Sequence, residues 1–316
     1  MTQLVLVTGG QGFIGKAFAA GARSKGFAVR VSSRRKFTPA QDNLEHSQVG
    51  DLGASTEWFP ALHGVSTVVH CAGRAHVVKD MAVDSLTAFR TVNVAGTLNL
   101  ARQAVEAGVK RFVFISSIGV NGSQTVLGKP FSETDKPNPH NDYAFSKWEA
   151  EQSLLHMADE TGLELVIIRP PLVYGSNAPG NFGALLRAVH FGWPLPLGAV
   201  HNQRSLIALD NLVDFIVTCI SHPQAAHQTF LVSDGEDLST TELVRGIAQA
   251  ARVPVRLFPV PVWVLQAGAS FLGKGDVVQR LCGNLQVDIS KARSLLDWVP
   301  PMSTEEGLRR AVQQRL

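Results

Sequence analysis

The sequence predicts an α/β fold built on a doubly wound parallel sheet. Three observations favour it. Strand and helix patterns alternate through the first half, the strands are short continuous apolar runs, and the first run, residues 4–7, leads at once into a glycine-rich turn and a helix. The chain has 316 residues, of which 45% are hydrophobic. It is therefore long enough to bury a sizeable core in one large domain or in two coupled ones.

The first strand, turn and helix form the most informative stretch. Its glycines satisfy both G-x-G-x-x-G and T-G-x-x-G-x-x-G, and they are Gly9, Gly10, Gly12 and Gly15. The first two permit a tight turn, the third lets the backbone approach a pyrophosphate, and the fourth lets the helix pack against the strand. The helix then points free N–H groups at the anion. An ordinary strand-to-helix turn is the alternative, but the position directly after the first strand favours a Rossmann-like dinucleotide site.

The end of the second strand, residues 28–32, bears on the choice of cofactor. In this architecture an acid at this point holds the ribose of NAD, whereas an arginine accommodates the 2′-phosphate of NADP. Here Ser33 stands in place of the acid, and Arg34, Arg35 and Lys36 follow. A solvated basic turn is the alternative interpretation. We expect NADP, with NAD still possible, because a phosphate needs positive charge and a carboxylate would repel it.

Small and polar residues follow the third and fourth strands, where a cofactor would cross the sheet. Asp51 and Leu52 come just past a short third strand and are expected near the adenine. The fourth strand, residues 67–71, is followed by Ala72 and Gly73, whose small side chains let a cofactor lie across the strand end. The next residues, 74–76, form either a polar loop or a substrate contact.

A long helix is predicted over 86–107, and a fifth strand over 111–116. The helix contains Asn93, an amide in a partly apolar run. It needs buried partners, so it is either a structural bridge or part of a polar site. The strand ends in Ser116 and Ser117, and both hydroxyls are expected to face the cleft at the carboxyl edge of the sheet.

Tyr143 and Lys147 begin the next helix, which extends to about residue 161. They are four residues apart and therefore share a helix face. A phenol has a pKa of about 10, and a neighbouring ammonium favours the phenolate. Tyr143 could then exchange a proton with a carbonyl oxygen that Ser117 polarises, while a hydride reaches the carbon. A surface pair is the alternative, but the preceding glycine turn and Ser117 favour catalysis.

The second half is less regular. A sixth strand over 165–169 ends at two prolines, which forbid continued pairing. The later expectations are a helix opened by Asn181, a rigid loop over 194–198, a helix over 211–220 capped by Asp210, a strand over 230–233, a capping box over 239–242, and helices that start at Ser290 and Ser303. We assign 1–170 and 205–235 to the dinucleotide-binding domain, and 171–204 and 236–316 to a smaller, mainly helical substrate domain.

Composition restricts the possible partners and compartment. A formal net charge of +3 with no basic block argues against nucleic acid and suits an anionic small molecule. The three cysteines are scattered, so we expect neither disulfides nor a metal site, and a cytoplasmic location. The first strand starts too early for a signal peptide. Residues 257–272 are too short to span a bilayer. They are expected to form a helix over a binding cleft, with a membrane-surface role as the less favoured interpretation.

These motifs, as an ordered set over nearly the whole chain, resemble the extended short-chain dehydrogenase/reductase superfamily in its nucleotide-sugar epimerase/dehydratase branch. The segments that carry the resemblance are Thr8–Gly15, Asp51–Leu52, His70–Gly73, Asn93–Thr97, Ser116–Ser117, Tyr143 with Lys147, Arg169–Gly175 and Asp297–Pro301. The resemblance implies a nicotinamide cofactor, a nucleotide-sugar substrate that is UDP-linked, and a possible homodimer.

The resemblance also assigns roles by position. The catalytic residues would be Ser117, Tyr143 and Lys147, with Asn93 supporting the proton relay. The cofactor positions would be Gly9, Gly12, Phe13, Ile14, Ser33, Arg34, Asp51, Leu52, Cys71, Ala72, Gly73, Tyr143, Lys147, Pro170 and Val173. The substrate positions would be Arg74, His76, Ser117, Asn181, Leu197, Arg204 and Arg280.

Departures from the branch suggest which reaction it performs. Galactose-type 4-epimerases usually carry an acid where Ser33 and Arg34 stand, and an asparagine where Leu172 stands. The 4,6-dehydratases usually place Asp-Glu where Ile118-Gly119 stand. The chain thus most resembles bacterial 4-ketoreductases of UDP-linked 6-deoxy-N-acetylhexosamines, which serve surface polysaccharides such as the O-antigen of lipopolysaccharide. The alternatives are a UDP-hexose or UDP-N-acetylhexosamine 4-epimerase with tightly held NAD and, outside enzymes, a dinucleotide-sensing regulator.

Overall fold

Ten strands form a large sheet and a small one. The computed structural model describes residues 3–34, 44–75, 84–271, 273 and 275–313. The strands are β1 (Leu4–Thr8), β2 (Ala28–Ser33), β3 (Glu45–Gln48), β4 (Thr67–His70), β5 (Arg111–Ile115), β6 (Glu164–Arg169), β7 (Leu172–Tyr174), β8 (Arg204–Ala208), β9 (Gln228–Leu231) and β10 (Asp237–Leu238). Seven of them pair in parallel in the order β3-β2-β1-β4-β5-β6-β9. The predicted doubly wound parallel sheet is confirmed.

Twelve α-helices accompany the strands among the described residues. They are α1 (Phe13–Ser24), α2 (Phe59–Leu62), α3 (Ser85–Phe89), α4 (Thr97–Glu106), α5 (Asp142–Thr161), α6 (Gly180–His190), α7 (Leu209–Ser221), α8 (Thr240–Ala251), α9 (Val262–Phe271), α10 (Gly275–Cys282), α11 (Ser290–Leu296) and α12 (Thr304–Gln313). A π-helical segment, Arg90–Gly96, joins α3 to α4. The long helix expected over 86–107 is therefore present, but it widens around Asn93.

The main sheet is buried on both faces because its strands are apolar at every position. Successive residues of a strand point to opposite sides. In β1, Val5 and Val7 lie in the core beneath α1 and α7, whereas Leu6 lies in the core beneath α4 and α5. The continuous apolar runs of the sequence are thus explained by two cores, one on each face of the sheet.

The small sheet begins where the chain leaves the main one. After β6, Pro170 and Pro171 end the pairing, and the chain enters β7, which pairs in parallel with β8. β10 pairs with β8 in the antiparallel sense. The small sheet is held beside the large one by Asp234, whose carboxylate accepts the Tyr174 hydroxyl at 2.7 Å and the Ala208 N–H at 2.9 Å. The helices of the C-terminal part pack over a third core.

Several boundaries differ from those predicted, each for a local reason. Helix α7 begins at Leu209 without a side-chain cap, and Asp210 instead pairs with Arg310 across the surface. The last main strand is β9 rather than 230–233. The apolar stretch 257–272 is helical only from Val262, because Pro259 and Pro261 exclude a helix before it. The capping box of Ser239 and Glu242 is present as expected.

A buried ion pair joins three of the elements that surround the carboxyl edge of the sheet. Glu151 of α5 is fully buried and accepts hydrogen bonds from Arg169, at the end of β6, with Nε to Oε1 at 3.0 Å. The same carboxylate accepts the hydroxyl of Ser116, directly after β5. Arg169 also donates to the Asn121 side chain at 2.9 Å. The pair therefore fixes α5 against the ends of β5 and β6.

We expect the substitution Glu151→Gln to lower the free energy of unfolding by about 3 to 5 kcal/mol, because it leaves the buried guanidinium of Arg169 without its counter-charge. Urea unfolding measures the change. The control is Glu160→Gln on the same helix, where the carboxylate is 63% exposed beside His156. Its effect should stay below about 1 kcal/mol. Equal effects of the two changes would show that the buried pair does not stabilise the fold.

Candidate active site

The glycine turn between β1 and α1 forms a tight cradle. Gly9 adopts φ +66°, and a Cβ there would lie 2.8 Å from the backbone nitrogen of Ala72. A Cβ on Gly15 would lie 2.4 Å from the carbonyl oxygen of Gly9. Both positions therefore require glycine. Phe13 and Ile14, the first residues of α1, pack against the third and the first core.

The end of α1 that faces this turn fits an anion. Gly12 occupies the N-cap position, and no side chain caps the helix. The first N–H groups of a helix have no partner within the helix and carry partial positive charge. Gly12 keeps the approach to them open, since a Cβ there would meet the carbonyl oxygen of Gly9 at 3.1 Å. The cradle thus fits the pyrophosphate of a dinucleotide.

The residues after β4 lie against the same turn. The Ala72 N–H donates to the Thr8 hydroxyl at 3.2 Å, which holds Cys71, Ala72 and Gly73 beside the glycine loop. A Cβ at Gly73 would lie 3.1 Å from Asn93 Oδ1 and 3.5 Å from Lys147 Nζ. This loop therefore connects the expected cofactor cradle with the catalytic lysine.

The residues expected to select the cofactor lie at the end of β2. Ser33 is buried, with 6% of its surface exposed. Arg34 is exposed and forms an ion pair with Asp51, at 3.4 Å between Nη1 and Oδ1. Leu52 next to Asp51 packs against the helix at Gly96. The predicted positions Arg35, Lys36 and His76 lie outside the described residues.

Asn93 acts as a bridge between the loop after β4 and α5. It is buried, its Oδ1 accepts the N–H of Arg74 at 2.8 Å, and its Nδ2 donates to the carbonyl of Arg74 and to Ser146 Oγ. Ser146 in turn donates to the carbonyl of Tyr143 at 2.8 Å. Both interpretations of Asn93 are compatible with this arrangement, because the bridge positions the start of α5 and lies close to Lys147. The Arg74 guanidinium lies 5.7 Å from the centre of the Phe89 ring, which in turn contacts the Tyr143 ring.

The two serines after β5 have different surroundings. Ser116 is buried and donates to Glu151, so the expectation that its hydroxyl faces the cleft is wrong. Ser117 is half-buried and caps a short 3-10 turn by accepting the N–H of Gly119 at 3.1 Å. A Cβ at Gly119 would touch both Ser117 Oγ and Ala144. Ser117 therefore lies beside the first turn of α5, next in sequence to Tyr143.

Lys147 is held in an apolar, buried position. Its Nζ donates to the carbonyl of Ile115 at 2.9 Å and lies 4.5 Å from the centre of the Phe114 ring. Burial lowers the pKa of Lys147 to about 8, and the charge of Glu151, one turn along α5, counteracts the shift in part. The ammonium is thus anchored to the end of β5, beneath the loop after β4.

The ionisation of Tyr143 differs from the expectation. Burial raises its pKa to about 12, and no lowering by Lys147 contributes. Because desolvation disfavours the phenolate, the protein side chains alone keep Tyr143 protonated at neutral pH. A positive charge brought by a bound molecule would be needed to favour the phenolate.

The expected substrate residues of the C-terminal part are spread over three elements. Arg204 starts β8, donates to the carbonyl of Gly283 at 3.0 Å, and has its pKa lowered to about 10 by burial and by nearby Arg280. No carboxylate in the described part of the chain forms an ion pair with either guanidinium. Asn181 is exposed on the first turn of α6, and Leu197 is buried. Two neighbouring cations without a counter-ion fit a diphosphate.

Pro170 and Val173 link the cradle to the small sheet. The carbonyl of Pro170 accepts the N–H of Ile118 at 3.0 Å, and Val173 pairs with Ile207 in β8. Sequence reasoning noticed Arg169 only as part of a motif and missed Glu151. The available signal was the spacing, because Glu151 follows Tyr143 and Lys147 at the same interval of four residues and therefore shares their face of α5.

The lowered pKa of Lys147 predicts a pH dependence of stability. The lysine binds its proton more weakly in the folded than in the unfolded chain, where its pKa is 10.5. Its contribution should therefore rise between about pH 8 and pH 10.5, by on the order of 2 to 3 kcal/mol. Denaturant unfolding of the native protein and of Lys147→Met at a series of pH values measures the difference. If this difference stays constant from pH 7.5 to pH 9.5, Lys147 is not desolvated as described.

Comparisons with known proteins agree with this arrangement. Residues 5–233 match the model of the NAD dependent epimerase/dehydratase family. The chain is 46% identical over 314 residues to a UDP-glucose 4-epimerase of Vibrio cholerae, covering 99% of this chain and 95% of that protein. It is 29% identical over 330 residues to N-acetyl-alpha-D-glucosaminyl-diphospho-ditrans,octacis-undecaprenol 4-epimerase of Escherichia coli O157:H7, covering 99% and 95%.

The fold has solved counterparts as well. The UDP-glucose 4-epimerase of Thermotoga maritima, solved with UDP-glucose, superposes with a TM-score of 0.77 at 22% identity, covering 98% of each chain. The relatives are named as epimerases, so the narrower resemblance to 4-ketoreductases is not supported by them. The expectation of an enzyme is confirmed at the level of the family. The chain, with its glycine cradle and its serine, tyrosine and lysine at one edge of the sheet, belongs to the NAD dependent epimerase/dehydratase family.

Proposed function

We propose that this enzyme inverts the configuration at C4 of a sugar linked to a nucleoside diphosphate, as a UDP-hexose or UDP-N-acetylhexosamine 4-epimerase. The observation that carries the proposal is the 46% identity over 99% of the chain to a protein named UDP-glucose 4-epimerase. The position of Ser117 beside the start of α5, where Tyr143 and Lys147 are presented, supports it. The order of the two enzyme hypotheses is thereby reversed from that expected from the sequence.

The chemistry divides among a few residues. Tyr143 takes the proton of the C4 hydroxyl, and the C4 hydride leaves to give a ketone; return of both to the opposite face gives the epimer. Ser117 donates a hydrogen bond to the C4 oxygen. A bound nicotinamide supplies the hydride acceptor and donor. The residues proposed to hold the cofactor are those of the glycine cradle and of the loop after β4, together with Ser33, Leu52, Pro170 and Val173.

The buried environment explains why a cofactor charge matters. Burial keeps the pKa of Tyr143 at about 12 in the unliganded chain. A cationic ring bound at the cradle and the ammonium of Lys147 would both favour the phenolate by Coulomb attraction. Tyr143 would then become a competent base only when the oxidised cofactor is present, which restricts proton removal to the loaded enzyme.

The diphosphate of the substrate has a matching surface. Arg204 and Arg280 are neighbouring cations, and Arg204 is partly desolvated, which strengthens its attraction for a phosphate oxygen. Asn181 and the loop that contains Leu197 lie in the same C-terminal part of the chain. We propose that these residues, with Arg74 beside Tyr143, bind the nucleotide-linked sugar. The homodimer expected from the resemblance remains a prediction.

A second candidate is the reduction of a 4-keto group on a UDP-linked 6-deoxy-N-acetylhexosamine. The end of β2 favours it, since Ser33 and Arg34 stand where a ribose-binding carboxylate would exclude NADP. Such a reductase adds hydride and proton to the ketone and consumes one reduced cofactor for each product. The active-site residues would keep the same roles, so the two candidates differ in the cofactor that is used and in whether it is regenerated.

Turnover without added cofactor distinguishes the two candidates. We expect the purified enzyme to interconvert UDP-glucose with UDP-galactose, or the corresponding N-acetylhexosamines, for many turnovers per molecule of bound NAD, followed by NMR of the sugar protons. Tyr143→Phe should slow the reaction by about a hundredfold or more while cofactor binding persists. If no interconversion occurs and a UDP-4-keto sugar instead oxidises one reduced cofactor per product, the reductase is the correct assignment.

Arg34 should determine the cofactor preference. Its exposed ion pair with Asp51 is worth at most about 1 kcal/mol, so the guanidinium can turn to a 2′-phosphate. A charge-assisted hydrogen bond of roughly 1.5 to 3 kcal/mol predicts that NADPH binds about ten- to a hundredfold more tightly than NADH, and that Arg34→Ala removes most of the difference. Fluorescence titration measures both. The control is Arg102→Ala, an exposed arginine of α4. Equal affinities in the native protein, or purification with NAD already bound, would contradict the prediction and favour the epimerase.

A further inference from the structure

Five aromatic side chains of the C-terminal part are exposed and close in sequence or pairing. They are Phe191 at 66%, Trp193 at 59%, Phe258 at 53%, Trp263 at 71% and Phe271 at 92% exposure. Large aromatic side chains are rarely left in water in such number, and a contiguous apolar patch marks an interaction site. We refer to these five residues as the aromatic face.

Backbone pairing brings two parts of the aromatic face together. The Leu195 N–H donates to the carbonyl of Arg256, and the Phe258 N–H donates back to Leu195, both at 2.9 Å. The rings of Phe191 and Trp193 are stacked with centres 6.2 Å apart. The segments that carry Phe191, Trp193 and Phe258 are therefore neighbours on one side of the third core.

Helix α9 continues this surface. It begins at Val262, four residues after Phe258, and none of its ten residues is charged. Leu265 packs against the third core and Ala269 is buried, whereas Trp263 and Phe271 point to solvent. A helix that is apolar on every side is normally covered. Its outer side, as described, has nothing from this chain over it.

The charge around the aromatic face has one sign. The sequence contains no Asp or Glu between residues 165 and 209, nor between 243 and 275. The exposed basic side chains in these two segments include Arg187, Arg252 and Arg256. Arg256 belongs to the strip that pairs with Leu195, next to Phe258. The partner of this surface must therefore be anionic as well as apolar.

We propose that the aromatic face docks on the surface of an anionic lipid bilayer. Tryptophan and phenylalanine would enter the boundary between headgroups and acyl chains, while the arginines contact lipid phosphates. A second copy of this chain fits less well, since a symmetric contact would bring the same acid-free, arginine-bearing surfaces together. No helix of the described chain is both long and apolar enough to cross a bilayer. The contact would thus be peripheral.

Vesicle sedimentation of the full-length enzyme tests the proposal. The probes are vesicles of phosphatidylcholine alone and vesicles that also contain phosphatidylglycerol. We expect binding to the anionic vesicles to exceed binding to the neutral ones by at least about tenfold, and to weaken at high salt. The double change Arg252→Gln with Arg256→Gln should reduce binding to anionic vesicles by about thirtyfold, at about 1 kcal/mol per charge.

The apolar contribution has its own variant and control. The double change Trp263→Ala with Phe271→Ala should reduce vesicle binding by at least about tenfold, since each ring loses its buried apolar area. The matched control is Val126→Ala with Leu127→Ala, two exposed apolar residues at 68% and 63% in a different loop. It should bind vesicles as the native enzyme does. Circular dichroism and thermal unfolding confirm that each variant is folded.

The possible outcomes separate the occupants. Binding to anionic vesicles that is lost in both aromatic and arginine variants supports the proposal. Failure to bind either vesicle overturns it, as does equal loss in the Val126 and Leu127 control. If light scattering shows a dimer that the Trp263 and Phe271 variant dissociates, while vesicles are not bound, the aromatic face is an interface between copies of this chain instead.

Discussion

The buried ion pair of Glu151 and Arg169 is the interaction on which the active edge of the sheet depends. It ties helix α5 to the ends of β5 and β6, and Ser116 donates to the same carboxylate. Directly beyond this junction the chain turns through two prolines into the small sheet. A buried charge pair of this kind adds little net stability, but removing either partner is costly. The catalytic helix therefore cannot shift without exposing an unpaired charge to the protein interior.

This rigid junction determines the chemistry of the site by controlling solvation. Lys147 reaches the carbonyl of Ile115 and Tyr143 is desolvated beside it, so burial shifts both pKa values toward the neutral forms. The site is thus prepared to respond strongly to any charge that a ligand brings, since Coulomb effects grow as water is excluded. The same reasoning applies to Arg204 and Arg280, which lie close together without a counter-ion in the described chain. The unliganded protein holds charges whose partners are supplied by binding.

Much of the fold could be predicted because its signals are local. The apolar run of β1, the four glycines after it and the capping box of Ser239 each act within a few residues. The order of the strands follows from parallel crossovers. The π-helical widening at Asn93 and the late start of α9 are not visible in periodicity, because they depend on what the helix packs against.

The sequence by itself determined the class of sheet, the position of the glycine cradle and the residues Ser117, Tyr143 and Lys147, since these depend on spacing along one strand, turn or helix. Only the tertiary structure decided that Ser116 turns inward to Glu151, that Arg34 pairs with Asp51, and that Tyr143 is desolvated. Each of these facts concerns side chains that meet across elements distant in the chain. Solvation and ion pairing are properties of such three-dimensional neighbourhoods, and a linear pattern does not contain them.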